Sequence, residues 1–178
     1  MILVIAGAVG IAARDRRTGP DGAGYDSGQG GAFEQPPVGI GVGQTAPDFT
    51  LSLRGGGSVS LWDLRGKPVL LNVSATWCPP CQGEFPEIQA VYKVYGDRAV
   101  ILGIDIGETE SEVDGYYDRS GYTYPIAYDP YGAIGTDYNV EFIPQTWVID
   151  ANGVIVDYIP GAADYDAFSA SLDQALGE

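Results

Sequence analysis

A nearly all-apolar run, Val69–Ser74, leads through Ala75-Thr76-Trp77 into Cys78-Pro79-Pro80-Cys81, which holds both cysteines of the chain. Such a run suits a strand buried on both faces. The residues after it read as a helix over 79–95. Pro79 and Pro80 sit in its first turn, where proline is tolerated, and Phe85, Ile88, Val91 and Tyr92 line one face. The cysteines therefore fall at a strand-to-helix junction. Unpaired backbone N–H groups and the helix dipole there favour a thiolate at Cys78, which makes it the attacking sulfur. Cys81, one turn in, is within disulfide reach and can resolve a mixed disulfide formed at Cys78. A structural bridge closing so small a loop would restrict the unfolded chain little. The redox reading is therefore preferred to a structural bridge, or to half of an intersubunit metal site.

Composition narrows the chemistry further. The chain has 178 residues, 24 acids, 9 bases, no histidine and a net charge of −15. This length suits one domain plus an appendage. Without histidine there is no Ser–His–Asp triad, no Cys–His protease and no imidazole acid, base or metal ligand. Two cysteines cannot complete a four-thiolate zinc site within one chain. The negative charge argues against nucleic acid and anionic lipid surfaces. Residues 44–178 carry 20 acids and 6 bases, so the acidity belongs to the domain and favours basic partners over acidic ones.

Three segments are expected. Residues 1–13 (MILVIAGAVGIAA) are uninterrupted apolar, too short as a helix for a hydrocarbon core of about 30 Å. They read as a truncated signal peptide or membrane anchor, with Arg14, Arg16 and Arg17 following rather than preceding the apolar stretch. Residues 14–41, rich in Gly, Pro, Ser and Asp, read as a flexible tether. Residues 42–178 form the domain. Its strands are expected at Asp48–Leu53, Ser58–Leu61, Val69–Ser74, Ala99–Ile106, around Tyr124–Tyr128, at Gln145–Asp150 and at Val154–Ile159. Helices are expected over 79–95, Glu110–Arg119, 131–137 and 164–176. This is an α/β pattern, with a mixed, mostly parallel central sheet flanked by helices, opened by a β-hairpin. Asp105, Glu108, Glu110, Glu112 and Asp114 lack the ordered spacing of a calcium loop and read as a solvated acidic face. The 12 tyrosines read as core edges and turns.

Val69-Leu-Leu-Asn-Val-Ser-Ala-Thr-Trp-Cys-Pro-Pro-Cys81 resembles the active-site strand and loop of thioredoxin-fold proteins. In particular it resembles the extracytoplasmic TlpA/ResA-like group, related to the CcmG cytochrome c maturation reductants. Ala46-Pro47-Asp48-Phe49-Thr50-Leu51 is similar to that group's domain start, which peroxiredoxins share. Phe142 to Asp150, with Asn152-Gly153, looks like its cis-proline strand and hairpin. The 63 positions from Cys81 to Pro144 exceed those of a minimal thioredoxin and suit a central insertion around residues 107–130.

The resemblance implies several roles. Pro144 would be a cis-proline that brings the Ile143 backbone beside the disulfide, where a partner chain can pair with it. Glu84, three residues after Cys81, would assist proton transfer at the thiols. Trp77, Pro79 and Pro80 would line the partner surface. Asn72 stands where cytosolic thioredoxins carry a buried aspartate, and asparagine there is common in this group. Ser74 departs from it, because a large aromatic often occupies that position. The implied activity is thiol–disulfide exchange through Cys78 and Cys81, with no bound cofactor and no metal. A monomer is expected, with disulfide-bearing exported proteins as partners, an upstream membrane dithiol donor and an extracytoplasmic location. Two rivals remain. A peroxiredoxin-like peroxidase would need a threonine where Ala75 stands, three residues before Cys78. A binding module could hold Cu(I) between the two soft thiolates.

Overall fold

The computed structural model describes residues 35–178. The apolar stretch 1–13 and most of the expected tether lie outside those residues. Seven strands and four helices follow in chain order: β1 Thr50–Leu53, β2 Ser58–Ser60, β3 Val69–Ser74, α1 Pro79–Tyr95, β4 Val100–Ile106, α2 Glu110–Ser120, β5 Ile126–Asp129, α3 Ala133–Asp137, β6 Gln145–Ile149, β7 Ile155–Pro160 and α4 Tyr165–Leu176. They make one sheet in the order β2-β1-β5-β4-β3-β6-β7. The strands β3, β4 and β5 are mutually parallel, while β6 runs antiparallel to β3 and β1 antiparallel to β5. Antiparallel pairings outnumber parallel ones, contrary to the mostly parallel sheet expected. The reason is that a hairpin closes each edge, β1–β2 at one side and β6–β7 at the other.

Every residue of β3 is buried, and its side chains alternate between two cores. Leu70 packs with Phe85, Ile88 and Val91 of α1, Val113 and Tyr117 of α2, and Phe168 and Leu172 of α4. Val69, Leu71 and Val73 pack on the other face with Leu102, Ile104, Ile134, Tyr138 and Trp147. By the same alternation Asn72 and Ser74 point toward α1, and so do Gly103 and Asp105 of β4.

The central insertion builds α2 and β5. A capping box starts α2, in which Thr109 accepts from the Glu112 N–H and Glu112 accepts from the Thr109 N–H. Tyr116, Tyr117 and Tyr122 surround Phe85 of α1, and Tyr124 packs on Tyr117, with ring centroids about 6 Å apart and edge-on or tilted. Tyr117, Tyr124 and Tyr138 are buried core residues, not the edge and turn residues expected. Residues 36–41 also lie along the domain. The Thr45 N–H donates to the Pro37 carbonyl, and the Trp147 indole N–H donates to that of Ile40 at 3.2 Å. Contacts with the domain thus extend a few residues before 42.

Leu70→Ala empties a site sealed on all sides and is expected to cost about 2–5 kcal/mol in urea unfolding of the oxidised protein. Thr109→Ala removes one cap on an exposed helix end and is expected to cost about 1 kcal/mol. Equal costs would contradict the central position of β3.

Candidate active site

The chain leaves β3 at Ser74 and enters α1 at Pro79, so the four residues between them carry the reactive loop. Cys78 is the N-cap of α1, with extended backbone, and its sulfur accepts from the Cys81 N–H at 3.3 Å. Pro79 and Pro80 occupy the first helical positions, where a missing N–H leaves no carbonyl unpaired. Cys78 and Cys81 are joined as a disulfide with Cα atoms 5.2 Å apart. Both are buried, whereas Trp77 between them and the strand is 64 % exposed.

The Ile143–Pro144 peptide is cis, and the Ile143 carbonyl oxygen lies 3.8 Å from the Cys78 sulfur. The loop before β6 therefore reaches the disulfide from the side opposite β4. Trp77, Ile106, Val140, Phe142 and Ile143 line an open apolar groove there, with Glu141 on its rim. Phe142 is exposed as well.

Glu84 lies one turn after Cys81 on the same helix and is only 1 % exposed. One carboxyl oxygen accepts from Asn72 Nδ2 at 2.8 Å and the other from the Ala163 N–H at 3.2 Å. Asn72 Nδ2 also donates to Thr146 Oγ1 at 3.0 Å, so a polar chain runs from β6 through β3 to α1. Burial pushes the Glu84 carboxyl up to about 7, and the bonds from Asn72 and Ala163 offset only part of that rise. A carboxyl in that range can take and return a proton near neutral pH, which no histidine in this chain can do.

Two more acids lie beneath the loop, and sequence reasoning missed both. Asp105 is 1 % and Glu108 7 % exposed, so the expected solvated acidic face holds only for Glu110 and Glu112 and partly for Asp114. Asp105 faces α1 from an interior strand, in register with Ser74. Gly107, with φ of +75°, turns the chain after β4 in a way that a side chain would disfavour. The turn brings Glu108 back under the loop. Its two carboxylate oxygens accept from the Thr76 N–H at 2.5 Å and the Thr76 hydroxyl at 2.6 Å. Burial and the neighbouring Glu108 push the Asp105 carboxyl up to about 9. A signal was available, because Asp105 is the only charge in an otherwise apolar strand.

Glu84 and Asp105 keep protons in the folded state that an unfolded chain has already released. Their contribution to stability is full in acid and is lost as pH rises, through about 7 for Glu84 and about 9 for Asp105. The urea midpoint of the oxidised protein is therefore expected to fall between about pH 6 and pH 8. Glu84→Gln and Asp105→Asn should each flatten that slope. A midpoint independent of pH in the unmodified protein would contradict both assignments.

The AhpC/TSA family model matches residues 42–158. The thioredoxin-like protein YneN of Bacillus subtilis is 38% identical over 144 residues, covering 79% of this chain and 84% of that protein. The thiol-disulfide oxidoreductase ResA of Geobacillus kaustophilus is 40% identical over 135 residues, covering 75% and 78%. The crystal structure of a putative thiol:disulfide interchange protein DsbE from Chlorobium tepidum superimposes with a TM-score of 0.72 at 27% identity, over 78% of this chain and all of that one. Likeness on this scale, around a cysteine pair set at the head of α1, places the chain in the AhpC/TSA family as a thioredoxin-fold thiol–disulfide oxidoreductase of the ResA/DsbE type.

Proposed function

We propose that the protein is an extracytoplasmic reductant of disulfides in exported partners, apocytochrome c among them, and that a membrane dithiol donor resets it. The observation that carries this reading is the acidic setting of the cysteine pair. Glu84, Asp105 and Glu108 are buried around it, and among the described residues no base stands at that end of the sheet. Lys67 donates to the Asp97 carbonyl, Arg98 pairs with Glu178, and Lys93 and Arg119 sit in the last turns of α1 and α2. Arg65 stacks on Trp62 beside the β6–β7 turn, and Arg54 is tied to Asp114 and Asp118. A thiolate that finds no cation is poorly stabilised, so the dithiol state gives up its electrons readily.

In the reducing half-reaction the Cys78 sulfur attacks one sulfur of the partner disulfide. The Cys78–partner bond forms, and the partner's other sulfur leaves and takes up a proton. Cys81 then passes its proton to Glu84 and attacks the Cys78 sulfur. The Cys78–Cys81 bond forms as the mixed disulfide breaks, and the second partner sulfur leaves protonated. Two electrons and two protons have moved to the partner. Ile143, fixed beside Cys78, offers its backbone for pairing with an extended partner segment. Trp77, Phe142 and the adjoining groove accept that segment's apolar side chains, and Pro79, Pro80 and Pro144 keep the site rigid. The extracytoplasmic assignment is supported by the apolar stretch 1–13 and by the kinship with ResA and DsbE. Among the described residues no helix is long and apolar enough to cross a membrane.

The Cys78–Cys81 couple, equilibrated with a dithiol buffer, is expected at or below the thioredoxin potential of about −270 mV; a value near −120 mV, that of a strong oxidant, overturns the reading. Cys81→Ser is expected to trap exported proteins as mixed disulfides, and a trapped set of cytosolic proteins would contradict the location. Reduction of an oxidised C-x-x-C-H peptide tests the cytochrome branch. Lysine-flanked disulfide peptides are expected to react about tenfold faster than glutamate-flanked ones at low salt, with the gap closing as salt is raised. Equal rates at low salt would refute a basic partner.

A further inference from the structure

Asp105 and Glu108 are buried together under the reactive loop, and the exchange chemistry described above assigns neither of them a step. Their surroundings divide the labour between them. Glu108 receives two hydrogen bonds from Thr76, one from the backbone and one from the hydroxyl. Neither oxygen of Asp105 has a partner in good hydrogen-bonding geometry, and the one donor near it, the Thr76 N–H, is already engaged by Glu108. A buried carboxylate without donors is unfavourable, whereas one holding two donors is tolerated. Two carboxylates in such a site also cannot both ionise cheaply. The proton therefore resides on Asp105, which lies within hydrogen-bonding reach of Glu108 and can donate to it.

Among the described residues the groups packed around the pair offer no cation to change this balance. The turns of α2 bring Glu112 and Tyr117, and Tyr124 comes from the segment leading into β5. Glu84 stands on α1, and Ser74 of β3 is uncharged. The same α1 helix contributes the Cys78–Cys81 bridge, which does not titrate while oxidised. The pair thus carries a single negative charge, and it grips the reactive loop at Thr76, two residues before Cys78.

We propose that Asp105 and Glu108 form a one-proton carboxyl pair that positions the Cys78 loop through Thr76, so that the setting of the loop responds to the ionisation of Asp105. When the Asp105 proton is lost, two like charges face each other. Glu108 is driven from Thr76, and the loop loosens. Burial raises the Asp105 carboxyl to about 9, which puts this change in the alkaline range and leaves the pair closed at neutral pH. The inference rests on the exchange reading only for its rate arm, since the pair is defined in the oxidised protein.

The test follows the Thr76 and Ala163 amide proton shifts by NMR in oxidised, nitrogen-15-labelled protein as pH is raised. With the disulfide intact no thiol titrates. The Thr76 signal should start strongly downfield and show an inflection above about pH 8, and Asp105→Asn should abolish it. The Ala163 signal should report Glu84 near pH 7, should persist in Asp105→Asn and should vanish in Glu84→Gln. For the rate arm, Glu108→Ala removes both bonds to Thr76 and should slow reduction of a disulfide peptide by about tenfold or more, tenfold being about the factor for a single charge-assisted hydrogen bond. Glu108→Gln, which keeps an acceptor for Thr76, should recover most of that loss. A flat Thr76 shift in the unmodified protein overturns the proposal, as does an inflection that survives Asp105→Asn. Equal rates for Glu108→Ala and the unmodified protein would also overturn it. A reducing potential together with a flat Thr76 shift would refute the pair alone and leave the reductase reading standing.

Discussion

Much of this structure depends on β3 being apolar on both faces and buried at every residue. A strand in that state must sit inside the sheet and carry a layer of packing on each side. Its parallel neighbour β4 and antiparallel neighbour β6 supply the hydrogen bonds, and α1 supplies one of the layers. The far end of β3 therefore meets the start of α1 at a rigid junction. That junction is where Cys78 can serve as an N-cap and Cys81 can stand one turn away, shielded by the helix. The geometry of the disulfide follows from core packing.

A chain without histidine must find its proton carriers elsewhere, and the fold supplies carboxyls. Burial alone lifts Glu84 into the neutral range, where an exposed glutamate would be fully ionised. Asn72 orients it without titrating, and Thr146 holds Asn72 in turn. This places a carboxyl able to exchange a proton near neutral pH on the same helix as Cys81. Asp105 and Glu108 extend the acidic setting to the other side of the loop. Their charge works against a thiolate, which is the basis of the reductant reading proposed above.

The distribution of charge on the domain has the same direction. The acids are spread over its surface, while the bases cluster where the strands of the parallel core begin, or are tied up by neighbouring carboxylates. The groove beside Cys78 thus joins apolar walls to an acidic rim. Under the proposed function, apolar contacts would hold a partner segment near the disulfide, and the surrounding field would favour a basic one before contact is made.

What the sequence determined by itself was the local grammar. The periodicity of β3 and α1, the C-x-x-C spacing and the turn residues of the closing hairpin lie within a few positions of one another, so short-range sterics and burial decide them. The element boundaries accordingly match to within one or two residues at most places. Tertiary structure decided the fate of the acids. Asp105 is buried because β5 pairs beyond β4 and makes it an interior strand, a contact between segments that sequence spacing does not reveal. On an edge strand the same carboxyl could have turned to solvent. Glu108 joins it because the turn at Gly107 folds back under Thr76, and Tyr117 and Tyr124 are buried because the insertion docks on α1. In each case a polar or amphipathic side chain has two acceptable environments. Long-range packing, rather than the residue's own chemistry, chooses between them.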